Sequence, residues 1–263
     1  MSGKAARWLA YGFLATISVS GTGFTARPAA RQANLTISAA ISMKDSLDEV
    51  QRAFRDANPS ITVACNYGAS GALQQQIEQG APVDLYLSAS PKQMDALETQ
   101  GLLLPGTRKN LLRNEIVLIV PRDSRSRVSS FQDLTRPDVK QIALGEPATV
   151  PAGEYAKEVL TYLGIYGVVK SKAVLAKDVR QVLTYVETGN VDVGIVYFTD
   201  AASSSKVRVV ATAPKKSHVP VAYPVAVIKS SKESATARTF EDFLFGAQAR
   251  AIFQKYGFIP QSS

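Results

Sequence analysis

The chain is poor in the residues that most often carry metal or nucleophilic chemistry. Its 263 residues include one cysteine, Cys65, and one histidine, His218. A single cysteine cannot form an internal disulfide, and no H-E-x-x-H, C-x-x-C or Walker pattern is present. We expect Cys65 to be a buried strand residue and His218, which lies in a basic polar loop, to be solvated. The sequence therefore points away from metal-dependent and triad-type catalysis.

An apolar run long enough to span a membrane is also missing. The short apolar run at 8–19 follows Lys4 and Arg7, and small residues follow it in turn. This order predicts a secretory signal peptide over residues 1–33, with the cleavage point left open. Its removal would lower the net charge from +8 to +4, because residues 1–33 carry four bases and no acid. The other basic residues are scattered, so no nucleic-acid partner is expected.

Strand and helix patterns alternate from about Asn34 onward. Apolar residues at helical spacing over 43–57 predict a helix, and Ser42 is well placed to cap it. Successive strand–helix units predict a parallel sheet covered on both faces. A second, equally large group of units follows the apolar strand at 115–121, and Pro224 marks an edge or entry point of a later strand. The chain is therefore predicted to be an α/β protein of two lobes with a ligand cleft between them.

Small and hydroxyl residues cluster at three points where a strand gives way to a helix. These stretches are 39–42, 68–72 and 146–153. The start of a helix presents backbone N–H groups without intrahelical acceptors, together with the positive end of the helix dipole. Such junctions bind anions readily. Because no catalytic machinery accompanies them, they favour a protein that holds an oxyanion rather than one that transforms it.

Five residues are the candidates for this anion site. Ser42 and Ser70 offer hydroxyl and N–H groups, Ala152 and Val179 offer N–H groups at helix starts, and Tyr197 offers a phenol at a strand end. Taken singly, Ser42 and Ser70 are better explained as bare helix caps, and the other three can be explained as turn, helix-start or core residues, so the hypothesis depends on their convergence. Uncharged donors alone suit a fully ionised anion, which only accepts hydrogen bonds, and select against a protonated one.

The neighbouring charged residues are predicted to be structural. Asp84 and Asp178 stand at strand or helix ends as structural or capping acids, and Arg180 is expected to face solvent. A secreted serine hydrolase using Ser70 stays open as an alternative. The stretch 68–72 partly matches the G-x-S-x-G nucleophile elbow, but its last position is not glycine.

Several longer segments resemble the ModA family of periplasmic molybdate-binding proteins, the capture components of bacterial ABC transporters. The resemblance extends from Leu35 to Phe258 and is carried by Ser38–Ser42, Gly80–Ala89, Val150–Glu158, Asp178–Arg180, Gly194–Tyr197, Tyr223–Val227 and Ile252–Phe258. It implies a type II periplasmic binding protein fold. Lobe 1 would comprise residues 34–112 and 224–263, and lobe 2 residues 113–223, with crossing strands near 112–115 and 223–225.

The resemblance also implies a function. Molybdate or tungstate would be held by Ser42, Ser70, Ala152, Val179 and Tyr197, with molybdenum bound only as the oxyanion and no further cofactor. The protein would be a periplasmic monomer, not an enzyme, and would deliver its ligand to a membrane permease. A receptor for a different tetrahedral oxyanion, such as sulfate, stays open as a hypothesis, as does the effector domain of a transcription regulator. The chain shows no DNA-binding helix-turn-helix at either end, which disfavours the regulator.

Overall fold

The computed structural model describes residues 32–261. The predicted signal peptide therefore lies outside the described residues, apart from Gln32 and Ala33. Strand β1 (Ala33–Ala40) begins at the last residue of that predicted segment, and Ala33 is paired with Ile61. Within 32–261, no helix has the length and apolar character needed to cross a bilayer.

Lobe 1 is built on a six-stranded mixed sheet. Its further strands are β2 (Ile61–Gly68), β3 (Leu85–Leu87), β4 (Lys109–Arg113), β10 (Ala222–Val227) and β11 (Ile259–Pro260). Their order across the sheet is β11-β4-β10-β3-β1-β2. Strand β1 runs parallel to β2 and β3, whereas β10 runs antiparallel to both of its neighbours. The parallel pairing predicted for the first three strands is therefore confirmed, whereas the other half of the sheet, β10, β4 and β11, pairs antiparallel.

The helices of lobe 1 flank this sheet. They are α1 (Lys44–Ala57), α2 (Ser70–Glu78), α3 (Pro91–Thr99), α8 (Ser234–Phe245) and α9 (Ala247–Lys255). The last two pack against α1, and α8 also contacts β1 and β10. The C-terminal part of the chain thus returns to the first lobe.

Lobe 2 contains a five-stranded mixed sheet. Its strands are β5 (Ile116–Pro121), β6 (Ile142–Gly145), β7 (Ala173–Ala176), β8 (Val193–Tyr197) and β9 (Val207–Thr212), in the order β7-β6-β8-β5-β9. Its helices are α4 (Pro151–Tyr162), α5 (Tyr166–Lys170), α6 (Val179–Glu187) and α7 (Phe198–Ala202). Within β5 and β8, every residue except Pro121 is buried, as expected for central strands covered on both faces.

The chain passes between the two sheets twice within residues 32–261. Strand β4 ends at Arg113 and β5 begins at Ile116, whereas β9 ends at Thr212 and β10 begins at Ala222. The second passage therefore precedes 223–225, the segment predicted from the sequence, which belongs to β10. The exact lobe boundaries stay a prediction.

Parallel pairing brings the junction segments together in each lobe. In lobe 1, the last residues of β1 and β2 are partners, Ala40 with Gly68. In lobe 2, the last residues of β6 and β7 are partners, Gly145 with Ala176. Because a helix follows each of these strands after a short connection, the helix N-termini gather at one edge of each sheet. This arrangement places them where the ligand of an α/β sheet is expected.

Candidate functional site

The five residues predicted from the sequence line one cavity between the lobes. Ser42 and Ser70 come from lobe 1, and Ala152, Val179 and Tyr197 from lobe 2. Each is at most 4% exposed. The centre of a water-sized sphere can explore about 10 Å³ of this cavity, which is close to the smallest space that holds one water molecule. The rest of the lining consists of small or apolar residues: Ala40, Ile41, Gly68, Ala69, Ala89, Val150 and Pro151.

Three helices begin at the cavity. Helix α2 starts with Ser70, α4 with Pro151 and Ala152, and α6 with Val179. Proline is favoured at the first helical position because it has no N–H to satisfy there, so Ala152 presents the first N–H of α4. The N–H groups of these first turns have no acceptor within their own helices, and each helix start carries a partial positive charge.

Two local features hold these helix starts in place. Asp178 caps α6, because its carboxylate accepts a hydrogen bond of 2.9 Å from the Gln181 N–H. The capping role predicted for Asp178 is thus confirmed. Gly153 lets α4 approach β6 closely, since a Cβ atom at this position would lie 1.9 Å from the carbonyl oxygen of Gly145.

Ser42 does not cap α1, so this prediction is wrong. A short 3₁₀ turn, Ile41–Met43, separates β1 from α1, and neither helix start has a side-chain cap. The turn moves the start of α1 to Lys44, beyond the reach of a cap by Ser42. The Ser42 Oγ instead lies 3.0 Å from the Tyr223 hydroxyl oxygen, and Ser42 lines the cavity.

Ser70 is fixed by two hydrogen bonds that leave its proton unused. Its Oγ accepts from the Ala89 N–H at 2.9 Å, and its carbonyl oxygen accepts from the Tyr86 hydroxyl at 2.7 Å. A serine hydroxyl that accepts one hydrogen bond still has a proton to donate. Ser70 can therefore act as a donor to an anion in the cavity.

Tyr197 is buried and brings a phenol to the lining of the cavity. Its Oη lies 3.4 Å from the carbonyl oxygen of Ala89, a long contact that joins the two lobes. Burial raises the pKa of Tyr197 well above its ordinary value, so the phenol keeps its proton at neutral pH. The rings of Tyr155 and Tyr223 pack edge-on against it at centroid distances of 6.5 and 5.7 Å.

No charged side chain is among the residues that line this cavity. Arg180 directly follows Val179, but its guanidinium is engaged elsewhere: Nη2 lies 2.6 Å from Asp45 of lobe 1 and Nε lies 3.0 Å from Asp200 of lobe 2. The prediction that Arg180 faces solvent is therefore wrong. Burial raises the pKa of Asp200 to about 7, and the Arg180 charge opposes that shift. A buried carboxylate needs such a partner.

The other chemically reactive residues lie apart from the cavity lining. Among residues 32–261, the hydrogen bonds of Ser70 involve no histidine. His218 is half-buried, with its Nδ1 2.7 Å from the Val219 carbonyl oxygen. Cys65 is half-buried rather than fully buried as predicted, and burial raises the pKa of its thiol to about 11. The Ser70 nucleophile hypothesis therefore gains no general base.

The lobes meet directly beside the cavity. The Gly71 N–H of lobe 1 donates a hydrogen bond of 3.0 Å to the Thr149 carbonyl oxygen of lobe 2. A Cβ atom at Gly71 would lie only 2.6 Å from that oxygen. An ion pair between Lys92 and Glu154 also joins the lobes. The structure is thus a closed arrangement in which the donors of both lobes face a common space.

The model of one protein family, described as bacterial extracellular solute-binding protein, matches residues 35–259. The chain belongs to this family. Extracellular solute-binding proteins capture ligands and are not enzymes, so the hydrolase alternative is set aside. The two-lobed α/β architecture agrees with the predicted type II periplasmic binding protein fold.

Individual solute-binding proteins are similar over most of the chain. A Bacillus subtilis lipoprotein, YvgL, named as a candidate ABC transporter substrate-binding protein, is 46% identical over 88% of both chains. The molybdate-binding protein ModA of Haemophilus influenzae is 38% identical over 91% of this chain and 94% of its own length. The solved periplasmic molybdate-binding protein of Azotobacter vinelandii superposes with a TM-score of 0.76 and is 26% identical, covering 86% of this chain and 100% of that structure.

The structure also shows residues near the site that sequence reasoning missed. Tyr223 is hydrogen-bonded to Ser42, and Asn114 is hydrogen-bonded to Tyr223. The carbonyl oxygen of Ala89 accepts from Tyr197, and the N–H of Ala89 donates to Ser70. Tyr223 and Ala89 both belong to segments that carried the family resemblance, but neither has a sequence signature of its own. Asn114 lies at the first passage between the sheets, and position was its only available signal.

Proposed function

We propose that the protein captures molybdate, and also tungstate, in the periplasm and delivers it to the permease of an ABC transporter. One observation carries the proposal: buried residues of both lobes that carry uncharged donors line one cavity, and its lining contains no charged side chain. The names of the relatives supply the ligand class, since two of them are molybdate-binding proteins.

The donors replace the water that a dianion loses on burial. Hydroxyl groups of Ser42, Ser70 and Tyr197 and N–H groups at Ser70, Ala152 and Val179 all stand at the cavity. A hydrogen bond to a charged group contributes roughly 1.5–3 kcal/mol net, and the helix starts add favourable dipoles. A handful of such contacts is sufficient for tight binding without a counter-charge.

Donors alone also provide selectivity. Molybdate, tungstate and sulfate are fully ionised near neutral pH and accept hydrogen bonds at every oxygen. Hydrogen phosphate carries a proton that requires an acceptor, and a buried proton without one is unfavourable. Size must then separate sulfate from the larger molybdate and tungstate. Because the closed cavity is small, the lobes must part to admit an ion and close on it.

Calorimetric titration of the mature protein with molybdate, tungstate, sulfate and phosphate tests this function. We expect molybdate and tungstate to bind tightly, sulfate to bind more weakly and phosphate to bind weakest. Sulfate binding as tight as molybdate binding would contradict the proposed ligand and favour a general receptor for tetrahedral dianions.

Substitution of Ser42 tests the site itself. Ser42→Ala should weaken molybdate binding by about ten- to a hundredfold, because one charge-assisted hydrogen bond is lost. Ser46→Ala is the matched control, since Ser46 is also buried but bonds to the Met43 carbonyl oxygen and does not line the cavity. We expect the control to keep wild-type affinity. An unchanged dissociation constant for Ser42→Ala would remove Ser42 from the site.

Two further parts of the proposal concern the whole protein. Residues 1–33 would direct export, and the mature protein would be a monomer. Mass spectrometry of the exported protein gives the mature N-terminus, and light scattering gives its oligomeric state. An uncleaved chain or a stable dimer would contradict these parts without affecting the ligand assignment.

A further inference from the structure

A buried chain of hydrogen bonds leads from the first passage between the sheets to Ser42. Tyr223 is 1% exposed and does not line the cavity. Its hydroxyl oxygen lies 3.0 Å from the Ser42 Oγ and 3.3 Å from Nδ2 of Asn114. Asn114 in turn lies between β4 and β5. The three polar groups therefore form one connected series.

The hydrogen-bond partners of Asn114 determine which group donates and which accepts in this series. Its Oδ1 accepts a hydrogen bond of 2.9 Å from the Glu115 N–H. The amide NH₂ group therefore faces Thr199 Oγ1, at 2.9 Å, and the Tyr223 hydroxyl. An amide NH₂ group only donates, so the Tyr223 oxygen is the acceptor in that bond. The orientation of the amide thus follows from a backbone donor whose position is fixed.

The bond that Tyr223 accepts also determines which group donates in the bond between Tyr223 and Ser42. With its oxygen accepting from Asn114, Tyr223 has its own proton to donate, and the Ser42 Oγ lies 3.0 Å from the Tyr223 hydroxyl oxygen. In this arrangement, the Ser42 Oγ accepts a hydrogen bond from the Tyr223 hydroxyl, and the Ser42 proton is not used in that bond. The geometry of a hydroxyl directs its proton away from the bond that it accepts. Since Ser42 lines the cavity, its proton is left for a group inside it.

We propose that Asn114 and Tyr223 form a positioning relay that holds the Ser42 hydroxyl as a donor toward the bound anion. The inference rests on the proposed function only in requiring that the cavity bind a tetrahedral dianion. Tyr223 and Asn114 act through Ser42 and are positioning residues rather than ligand contacts.

Ser70 shows why the relay matters at Ser42 in particular. The Ser70 Oγ accepts from a backbone N–H, that of Ala89, which no side-chain substitution removes. The orientation of Ser42 depends instead on two side chains that are 109 residues apart in sequence. Without the Tyr223 hydroxyl, the Ser42 proton would be free to rotate, and binding would have to order it again.

A double-mutant cycle separates this relay from a general structural effect. Tyr223→Phe removes one hydroxyl and keeps the ring that packs against Tyr197 and Phe258. In the wild-type background, it should weaken binding of molybdate, tungstate and sulfate by about three- to tenfold, the equivalent of one neutral hydrogen bond. In the Ser42→Ala background, the same substitution should change the dissociation constants by less than about twofold, because its target is absent.

Tyr67→Phe is the matched control. Tyr67 is a partly buried tyrosine of lobe 1 whose hydroxyl donates to Asp48 at 2.6 Å, and it does not line the cavity. We expect it to bind all three dianions like the wild type. Thermal melting of each variant, measured beside the titrations, establishes that the compared proteins are folded.

Each outcome of the cycle is decisive. Equal losses in the two backgrounds would show that Tyr223 acts independently of Ser42 and would overturn the relay, as would no loss in the wild-type background. A wild-type protein that binds sulfate but not molybdate would contradict the proposed ligand alone, since the cycle could still be completed with sulfate. A wild-type protein that binds none of the three dianions would contradict both proposals.

Discussion

Gly71 is the residue at which the backbones of the two lobes meet beside the cavity. Its N–H bonds to the Thr149 carbonyl oxygen, and a Cβ atom would lie 2.6 Å from that oxygen. Only glycine permits this approach, because shorter contacts than about 3 Å are not tolerated by packed atoms. A position that first looked like part of a nucleophile elbow is therefore better explained by closure of the lobes.

Gly71→Ala should weaken molybdate binding by about five- to a hundredfold. The added methyl group opposes closure as an overpacked contact would, at a cost of about 1–3 kcal/mol. Calorimetry measures the affinity. Gly167→Ala is the control, since its Cβ would meet no atom within 4 Å. Wild-type affinity in Gly71→Ala would mean that the ligand-bound lobes do not approach each other this closely.

At the same scale, sequence reasoning selected the residues that line the cavity better than it assigned their contacts. Ser42 lines the cavity but does not cap α1, and Arg180 makes ion pairs rather than facing solvent. The Arg180 partner in lobe 1, Asp45, is 135 residues away in sequence. Local patterns identify helix starts because capping and dipole effects are local, but they contain no record of a contact made across two lobes. The role of the five residues as ligand contacts stays a prediction.

Among the elements, the long apolar strands and amphipathic helices were predictable, and two short elements, α5 and β7, were not. Helix α5 has five residues and β7 has four, which is too few for a clear period. Pro224 was expected at an edge or entry point. It lies in β10, between β3 and β4, at an irregularity in the pairing with β4. A proline is tolerated there because the register shift interrupts the ladder of hydrogen bonds.

Helix α8 carries a buried acid that makes stability depend on pH. Glu241 is 1% exposed, and the closest approach of the Lys109 ammonium to its carboxylate is 3.8 Å. Burial raises the pKa of Glu241 to about 7, and Asp242 adds to the increase, whereas Lys109 and Arg238 oppose it. Between the ordinary value of 4.5 and about 7, the folded protein holds a proton that the unfolded chain has released. The free energy of unfolding should therefore fall as pH rises through this window.

Glu241→Gln should reduce the fall in the free energy of unfolding as pH rises. The variant has no carboxyl to ionise, so its stability relative to the wild type should increase between pH 4.5 and 7 by an amount on the order of 1–3 kcal/mol. Urea unfolding at several pH values measures this difference. Asp200 titrates in the same direction in both proteins and cancels. Glu98→Gln, an exposed change on α3, should follow the wild-type profile. Parallel profiles for Glu241→Gln and the wild type would show that Glu241 is ionised without penalty.

At the scale of the whole molecule, the two-lobed α/β architecture followed from the repeated strand–helix units and the family resemblance. The mixed direction of both sheets did not, because strand direction depends on where the chain returns after crossing between the lobes. The closed arrangement depends equally on contacts between distant segments. One of them is the ion pair between Asp45 on α1 and Arg180 on α6, at 2.6 Å.

Asp45→Asn should weaken molybdate binding by about two- to fivefold, the range expected for a partly exposed ion pair. The effect should appear mainly as faster dissociation, because the pair joins the lobes only when they are closed. Stopped-flow kinetics measures both rates. Raising the salt concentration should narrow the difference from the wild type.

Asp56→Asn controls for the change in net charge, since Asp56 is exposed near the other end of α1. It should match the wild-type dissociation rate. Asp45→Glu, which keeps the carboxylate, should restore most of the wild-type behaviour. If Asp45→Asn and Asp56→Asn release the anion at the same rate, the ion pair does not hold the lobes together.

The two passages of the chain between the sheets, at 113–116 and 212–222, restrict relative motion of the lobes more than a single tether would. Rotation about the line through both connectors is the motion that they oppose least. Every contact between the lobes then favours or opposes rotation about the same axis, whatever its distance from the bound anion. Charged residues at the rim of the interface between the lobes therefore change how long the anion stays bound. They do so without changing the donors in the cavity that select the anion.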